Sequence, residues 1–204
     1  MVRLFPLGGR LWHKNGVTAR ARTQHNPPPL DQAALQELAL RYAGKYATTR
    51  AKLRSYLTRK LRERGWSGDG QPDLEALTDR FSTLGYVDDA AYALSQSRSL
   101  SMRGYGKGRL ADKLRAAGVG DADGAAANAH AETEAVAAVL RFAQRRRLGP
   151  FASVAAERLQ REKWIAAMVR AGHPFALAKT IAAMPPGAEL NEDQLSGFAR
   201  QPAS

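Results

Sequence analysis

KLRERGW at residues 60–66, KLRAAGV at 113–119 and AMVRAGH at 167–173 are three endings of one kind, each a basic, partly apolar run that stops at a glycine. Gly65, Gly118 and Gly172 stand 53 and 54 residues apart. Each occupies the place where a helix closes with a left-handed residue, a conformation that costs glycine little. So regular a spacing marks tandem units. The period is longer than that of two-helix solenoid repeats, which implies about three helices per unit.

The segments ahead of and behind the glycines carry helical stripes. Leu35, Leu38, Tyr42 and Tyr46 step by three and four, as do Leu53, Leu57 and Leu61, and then Leu74, Leu77, Phe81 and Leu84. Leu110 with Leu114, the group Val136, Val139, Leu140 and Ala143, and Ile165 with Met168 and Val169 continue the pattern. No alternating run of β-branched residues competes with them, so the expected fold is all-α. Thr48 or Thr49 can cap the second helix and Asp88 the fourth. The expected units are 31–86, 87–131 and 132–184. Support is weakest for the last helix of the middle unit, because GDADGAAANAHA at 120–131 has hardly a large apolar residue. Residues 1–30 hold five basic residues and no acid and end in three prolines and a leucine, which reads as a flexible tail. Residues 185–204, opening on Pro185 and Pro186, read as a second.

Composition narrows the function. The chain has 204 residues, 44% of them hydrophobic and 25% charged, enough for a packed core. The absence of cysteine excludes a disulfide framework, a thiolate zinc site and a cysteine nucleophile. No apolar run reaches membrane-spanning length, and the start is a poor secretory signal, so an intracellular protein is expected. The net charge of +12 favours a polyanionic partner, nucleic acid first, although acidic proteins attract the same surface.

The cations are clustered. Between Arg41 and Arg64 nine basic residues meet one acid, Glu63, and Lys52, Arg59 and Arg62 project away from the Leu53, Leu57 and Leu61 stripe. Arg98, Arg103, Lys107, Arg109, Lys113 and Arg115 form a second cluster against Asp112, and Arg141 with Arg145, Arg146 and Arg147 a third. A merely solvated face normally mixes its signs, so part of this charge points to contact with phosphates or acidic groups. Gly104, Gly106 and Gly108 in RGYGKGR follow no strand, and Arg109 stands where a phosphate loop needs a hydroxyl, so a turn between helices is expected. Asp88 and Asp89 read as a cap and a first-turn acid. His13, His25, His130 and His173 are scattered without metal-ligand spacing. No nucleophile–base arrangement is visible; neither an enzyme nor a bound cofactor is expected.

GYVDDAAYA at 85–93, with Gly85, Tyr86, Asp88, Asp89 and Tyr92, resembles the central motif of the RecX family, modulators of the RecA recombinase. SQSRSLSMRGYGKGRLADKLRAAGV at 95–119 continues the likeness, ALRYAGKYATTRAKLRSYLTRKLRERGW at 39–66 is similar to the family's first unit, and RRRLGPF at 145–151 to the start of its third. Val87 and Tyr92 stand where leucine and phenylalanine are common. The resemblance spans residues 31–184 and implies three tandem three-helix bundles in an elongated, curved monomer. It further implies binding in the groove of the RecA filament on single-stranded DNA, with inhibition of filament growth, ATP hydrolysis, strand exchange and the co-protease activity that promotes LexA cleavage. That places the protein in the SOS response, DNA repair and recombination, in the cytoplasm. Lys52, Arg59, Arg62, Arg98, Arg103, Lys107, Arg109, Lys113, Arg145 and Arg146 are the expected contacts with filament or DNA. Two other readings of the basic surface stay open: a plain helical DNA-binding module and a scaffold for unrelated acidic proteins.

Overall fold

Leucines three and four apart need somewhere to go, and the computed structural model, which describes residues 27–199, sends them into three separate cores. Among the described residues ten α-helices and one 3-10 turn carry the chain, and no strand forms. Helices α1 (Gln32–Lys45), α2 (Arg50–Arg64) and α3 (Leu74–Thr83) bury Leu35, Ala39, Leu53, Leu57, Leu77 and Phe81 against one another. Helices α4 (Asp89–Met102), α5 (Lys107–Ala116) and α6 (Asp121–Thr133) do the same with Ala93, Leu100, Leu110, Leu114, Ala127 and Ala131. Helices α7 (Ala135–Arg146), α8 (Arg158–Arg170), α9 (Phe175–Ala183) and α10 (Glu192–Ala199) enclose the largest core, around Val139, Phe142, Met168, Leu177, Ile181 and Leu195. Each large side chain so buried contributes roughly 2 kcal/mol.

The helix starts are specified chemically. Asp31, Thr49, Asp73 and Asp88 each accept a hydrogen bond from the backbone N–H three residues on, at 2.8, 3.2, 2.9 and 2.8 Å. Such caps satisfy donors that the first turn leaves free, at about 1 kcal/mol apiece. Of the two threonines the sequence offers for α2, Thr49 is the cap.

Three expectations change. The alanine-rich segment 121–133 is a full helix, because alanine is the best helix former, Asp121 and Asp123 sit in its positive first turn, and small side chains let it lie close on α4. Part of the C-terminal tail is ordered: α10 places Leu195 in the third core, and Gly187 N–H donates to Pro150 C=O at 2.9 Å. The expected N-terminal tail also ends earlier than residue 30. Leu30 is fully buried in the first core and pairs by backbone with Gly65 and Ser67, while the Arg64 guanidinium holds the Pro28 carbonyl. The rest of that tail, residues 1–26, and residues 200–204 lie outside the described residues.

The glycines that close α5 and α8 have a second function besides φ values of 67° and 91°. The first turn of α2 abuts the end of α5: Thr49 Oγ1 donates to Ala117 C=O at 2.6 Å, and a Cβ on Gly118 would sit 2.4 Å from that of Ala51. The first turn of α5 abuts the end of α8 in the same manner. Gly106 N–H donates to Ala171 C=O at 2.9 Å, Gly108 N–H to Gly172 C=O at 3.0 Å, and a Cβ on Gly172 would lie 2.2 Å from the Arg109 nitrogen. The joints put the start of α2 on the last turn of α5 and the start of α5 on that of α8.

His173 seals the second joint. It is buried, its Nε2–H donates to Gly104 C=O at 3.1 Å, and its ring meets Phe142 edge-on. Burial lowers its pKa from 6.5 to about 4, against the opposing pull of the Gly104 carbonyl. The folded ring therefore stays neutral where the unfolded one would take a proton. Its contribution to stability is complete above pH 6.5 and lost as the pH falls towards 4. Thermal unfolding midpoints measured between pH 7 and 5 should decline less steeply for His173→Gln than for the wild type. A second expectation concerns packing: Gly172→Ala should lose on the order of 2 kcal/mol in denaturant unfolding, because both its φ and its space are wrong for a methyl group.

Candidate binding surface

The two aspartates of the central motif point in different directions. Asp88 caps its own helix, whereas the Asp89 side chain is 4% exposed and reaches across to the start of α2. Its Oδ1 accepts the Arg50 backbone N–H at 2.9 Å, and its Oδ2 lies 3.4 Å from Arg50 Nε. The same guanidinium meets Asp123 of α6 at 3.0 Å and Asp79 of α3 at 3.8 Å. One arginine thus ties three helices to α2, and its pKa is raised chiefly by Asp89. Tyr92 completes the joint: it is buried, and the Lys52 ammonium hydrogen-bonds its hydroxyl and lies 4.4 Å over its ring. Gly85 turns the chain with φ 75°, and Tyr86 packs half-exposed on Phe81.

The ten cations singled out in the sequence fall into two groups. Lys52 is committed to Tyr92. Lys107 pairs with Glu132, whose carboxyl it holds below the ordinary range by hydrogen bond and charge. Arg145 donates to the Arg103 carbonyl, while the Arg103 guanidinium stands 5.3 Å over the Tyr105 ring and that of Arg146 5.1 Å over Phe142. Arg59 lies 3.6 Å from Glu63, a carboxyl lowered mainly by its hydrogen bond with Lys60. Arg62, Arg98, Arg109 and Lys113 are exposed and make no ion pair among the described residues. Arg109 and Lys113 share one face of α5 at i, i+4, where like charges repel unless a partner neutralises them.

None of the three glycines of the run 104–108 has an N–H free for phosphate. The Gly104 and Tyr105 N–H groups donate to Ser101 and Leu100, and those of Gly106 and Gly108 to Ala171 and Gly172. No group of three or more histidines, aspartates or glutamates able to hold a metal occurs among the described residues. None of the described helices is long and apolar enough to cross a membrane.

One feature escaped the sequence reading. Tyr42 of α1 and Tyr46, the residue just past its end, placed there only on a helical stripe, line an open groove of about 670 Å³ together with Tyr56, Arg59 and Lys52 of α2 and Arg115 of α5. A second depression of about 370 Å³ continues along α2 past Arg54, Ser55, Thr58, Arg59 and Arg62. The i, i+4 spacing of the tyrosines was the available signal, but that spacing serves a core equally well.

Fold and surface together define an all-helical protein whose distinguishing chemistry is exposed cationic side chains on firmly joined helices. No family model and no solved structure matches the chain. Relatives do. The regulatory protein RecX of Myxococcus xanthus is 31% identical over 171 residues, covering 79% of this chain and 91% of the relative. That of Agrobacterium fabrum is 34% identical over 152 residues, 72% and 80% of the two chains. That of Mycobacteroides abscessus is 40% identical over 101 residues, about half of each. The chain belongs to the RecX family of regulatory proteins.

Removing the Asp89 side chain leaves the part-buried Arg50 N–H without its acceptor and takes from the guanidinium its most enclosed partner, with Asp123 and Asp79 remaining. Asp89→Ala should therefore cost about 2 kcal/mol in denaturant unfolding, and Asp89→Asn, which keeps one acceptor, less. In a double-mutant cycle, Arg50→Ala with Asp89→Ala should cost less than the sum of the two single changes.

Proposed function

We propose that this protein regulates RecA by binding the recombinase filament on single-stranded DNA and mainly inhibiting it, reducing filament growth, ATP hydrolysis, strand exchange and co-protease activity. On this reading it serves DNA repair, recombination and the SOS response in the cytoplasm, as a monomer, with no catalysis of its own. The chain is taken as three tandem three-helix units close to 31–86, 87–131 and 132–184, with Leu30 added to the first and α10 to the third.

Membership of the RecX family supports the partner. The observation that carries the mechanism is the pairing of two like joints with cations left unsatisfied between them. Arg62 on α2 and Arg109 with Lys113 on α5 belong to different units, yet the Arg50–Asp89 contact and the glycine joints hold those units in one arrangement. Fixed cations spaced along a chain suit a repetitive acidic surface, because each contact raises the effective concentration of the next. One more regularity fits. Arg54, Lys107 and Arg161 are all exposed and each stands eleven residues before the glycine that ends its unit's middle helix.

The test is the DNA-dependent ATPase of RecA, titrated with this protein at fixed salt. Activity should fall at well under one molecule per recombinase protomer. Arg109→Glu combined with Lys113→Glu should require several-fold more protein for the same loss while leaving the helical circular dichroism unchanged. No effect of the folded wild type at excess would overturn the reading.

A further inference from the structure

We infer that the groove between α1, α2 and the end of α5 is a binding site for single-stranded nucleic acid, with a base stacked on Tyr46 and neighbouring phosphates held by Arg59 and Arg115. This goes beyond the recombinase reading and needs no recombinase to be tested.

The groove combines two features that such a ligand requires and that other occupants do not. The first is an aromatic platform. Tyr42 and Tyr56 stack with ring centroids 4.2 Å apart and planes within 15°, and Tyr46 leans on Tyr42 at 5.2 Å. Tyr46 remains 49% exposed, so part of its ring is open to a ligand. The rings beneath hold it in place, so a base stacking on it would meet a preorganised surface. Every nucleobase has a face suited to that contact.

The second feature is charge. Twelve residues line the groove; three are cationic and none is acidic. Lys52 is occupied by Tyr92, but Arg59 and Arg115 are exposed, with only single surface acids, Glu63 and Asp112, as neighbours, and neither acid lines the groove. Exposed pairs of that kind are worth little and exchange readily for phosphate. Further cations surround the rings: Lys45 sits 5.4 Å over Tyr46 and Arg59 5.6 Å over Tyr56. The depression beyond, with Arg54, Thr58, Arg59 and Arg62, shares Ser55 and Arg59 with the groove and again has no acid in its lining. A strand leaving the tyrosines therefore has a cationic path along α2.

An acidic peptide would use the arginines but gains nothing specific from a half-exposed aromatic ring. Duplex DNA offers phosphates but keeps its bases paired and out of reach of Tyr46. The combination selects a strand whose bases are free.

Full-length protein titrated against a fluorescent oligothymidylate, read by anisotropy at several salt concentrations, tests the assignment. Tyr46→Ala should weaken binding roughly tenfold, and Tyr46→Trp should restore it. Arg59→Ala and Arg115→Ala should each lower the salt dependence, by about 0.7 in the slope of log affinity against log salt. Duplex of the same length should bind more weakly. Tyr46 is surface-placed, and unchanged helical circular dichroism would show that each variant is folded. If folded Tyr46→Ala binds like the wild type, or if duplex or a poly-glutamate peptide competes as well as the single strand, the site is not for single-stranded nucleic acid. Because no recombinase is present, that failure would leave the filament reading standing, and the ATPase titration can fail without touching this site.

Discussion

The start of one helix lies on the last turn of another, close enough to hydrogen-bond directly to its final backbone carbonyls and to leave no room for a β-carbon on the glycine that closes it. That contact occurs twice, at Thr49 on Ala117 and at Gly106 on Ala171. It constrains the residues on both sides. The later helix must end in a glycine, since the position is both left-handed and crowded. The earlier helix must begin with a group that can donate to a carbonyl, which is a hydroxyl in one joint and a bare N–H in the other. Much of what looks like motif in the sequence is the chemistry of these joints.

The first joint has an added layer. A short contact between two small helical cores would bury little area, and Arg50 reinforces it with charge. Asp89 is almost fully enclosed, and an enclosed carboxylate is tolerable only when its oxygens are satisfied. Here one oxygen takes the backbone N–H at the start of α2 and the other faces the guanidinium. The paired aspartates of the central motif therefore perform one task on two helices, capping α4 locally and α2 at a distance. The second joint has no such ion pair. It relies on three glycines and a buried neutral histidine, so it responds to acid, whereas the first is built on an ion pair.

Engaging cations at the joints also sorts the surface. Of the basic residues that the sequence suggests, Lys52, Lys107 and Arg145 are drawn into intramolecular contacts, while Arg62, Arg98, Arg109 and Lys113 stay available. These contacts leave the net charge at +12, since Lys52 and Arg145 meet neutral groups, but they fix where several of the cations stand. Fixed charge loses less entropy on binding than charge on a mobile tail.

Local rules sufficed for the helices. Leucine spacing, the caps at Thr49 and Asp88 and the closing glycines each depend on residues within one or two turns, so they are legible in one dimension, and the family resemblance added the expected partner. The same locality explains the errors. Residues 121–133 lack large apolar side chains, but a helix that packs by close approach needs small ones, and only its neighbour α4 reveals that. Leu84 and Val169 lie on apolar stripes yet remain exposed, because a stripe does not say where the neighbouring core ends. Tyr42 and Tyr46 share one stripe, yet Tyr42 packs against the first core while Tyr46, beyond the last turn of α1, is half exposed at the groove. Helix positions, charge and the even spacing of the closing glycines were thus determined by the sequence alone, the helices through interactions a few residues long. Which cations are free, why Asp89 differs from Asp88 and where aromatic rings meet solvent were decided only by tertiary structure, because each depends on contacts between residues some forty to seventy positions apart.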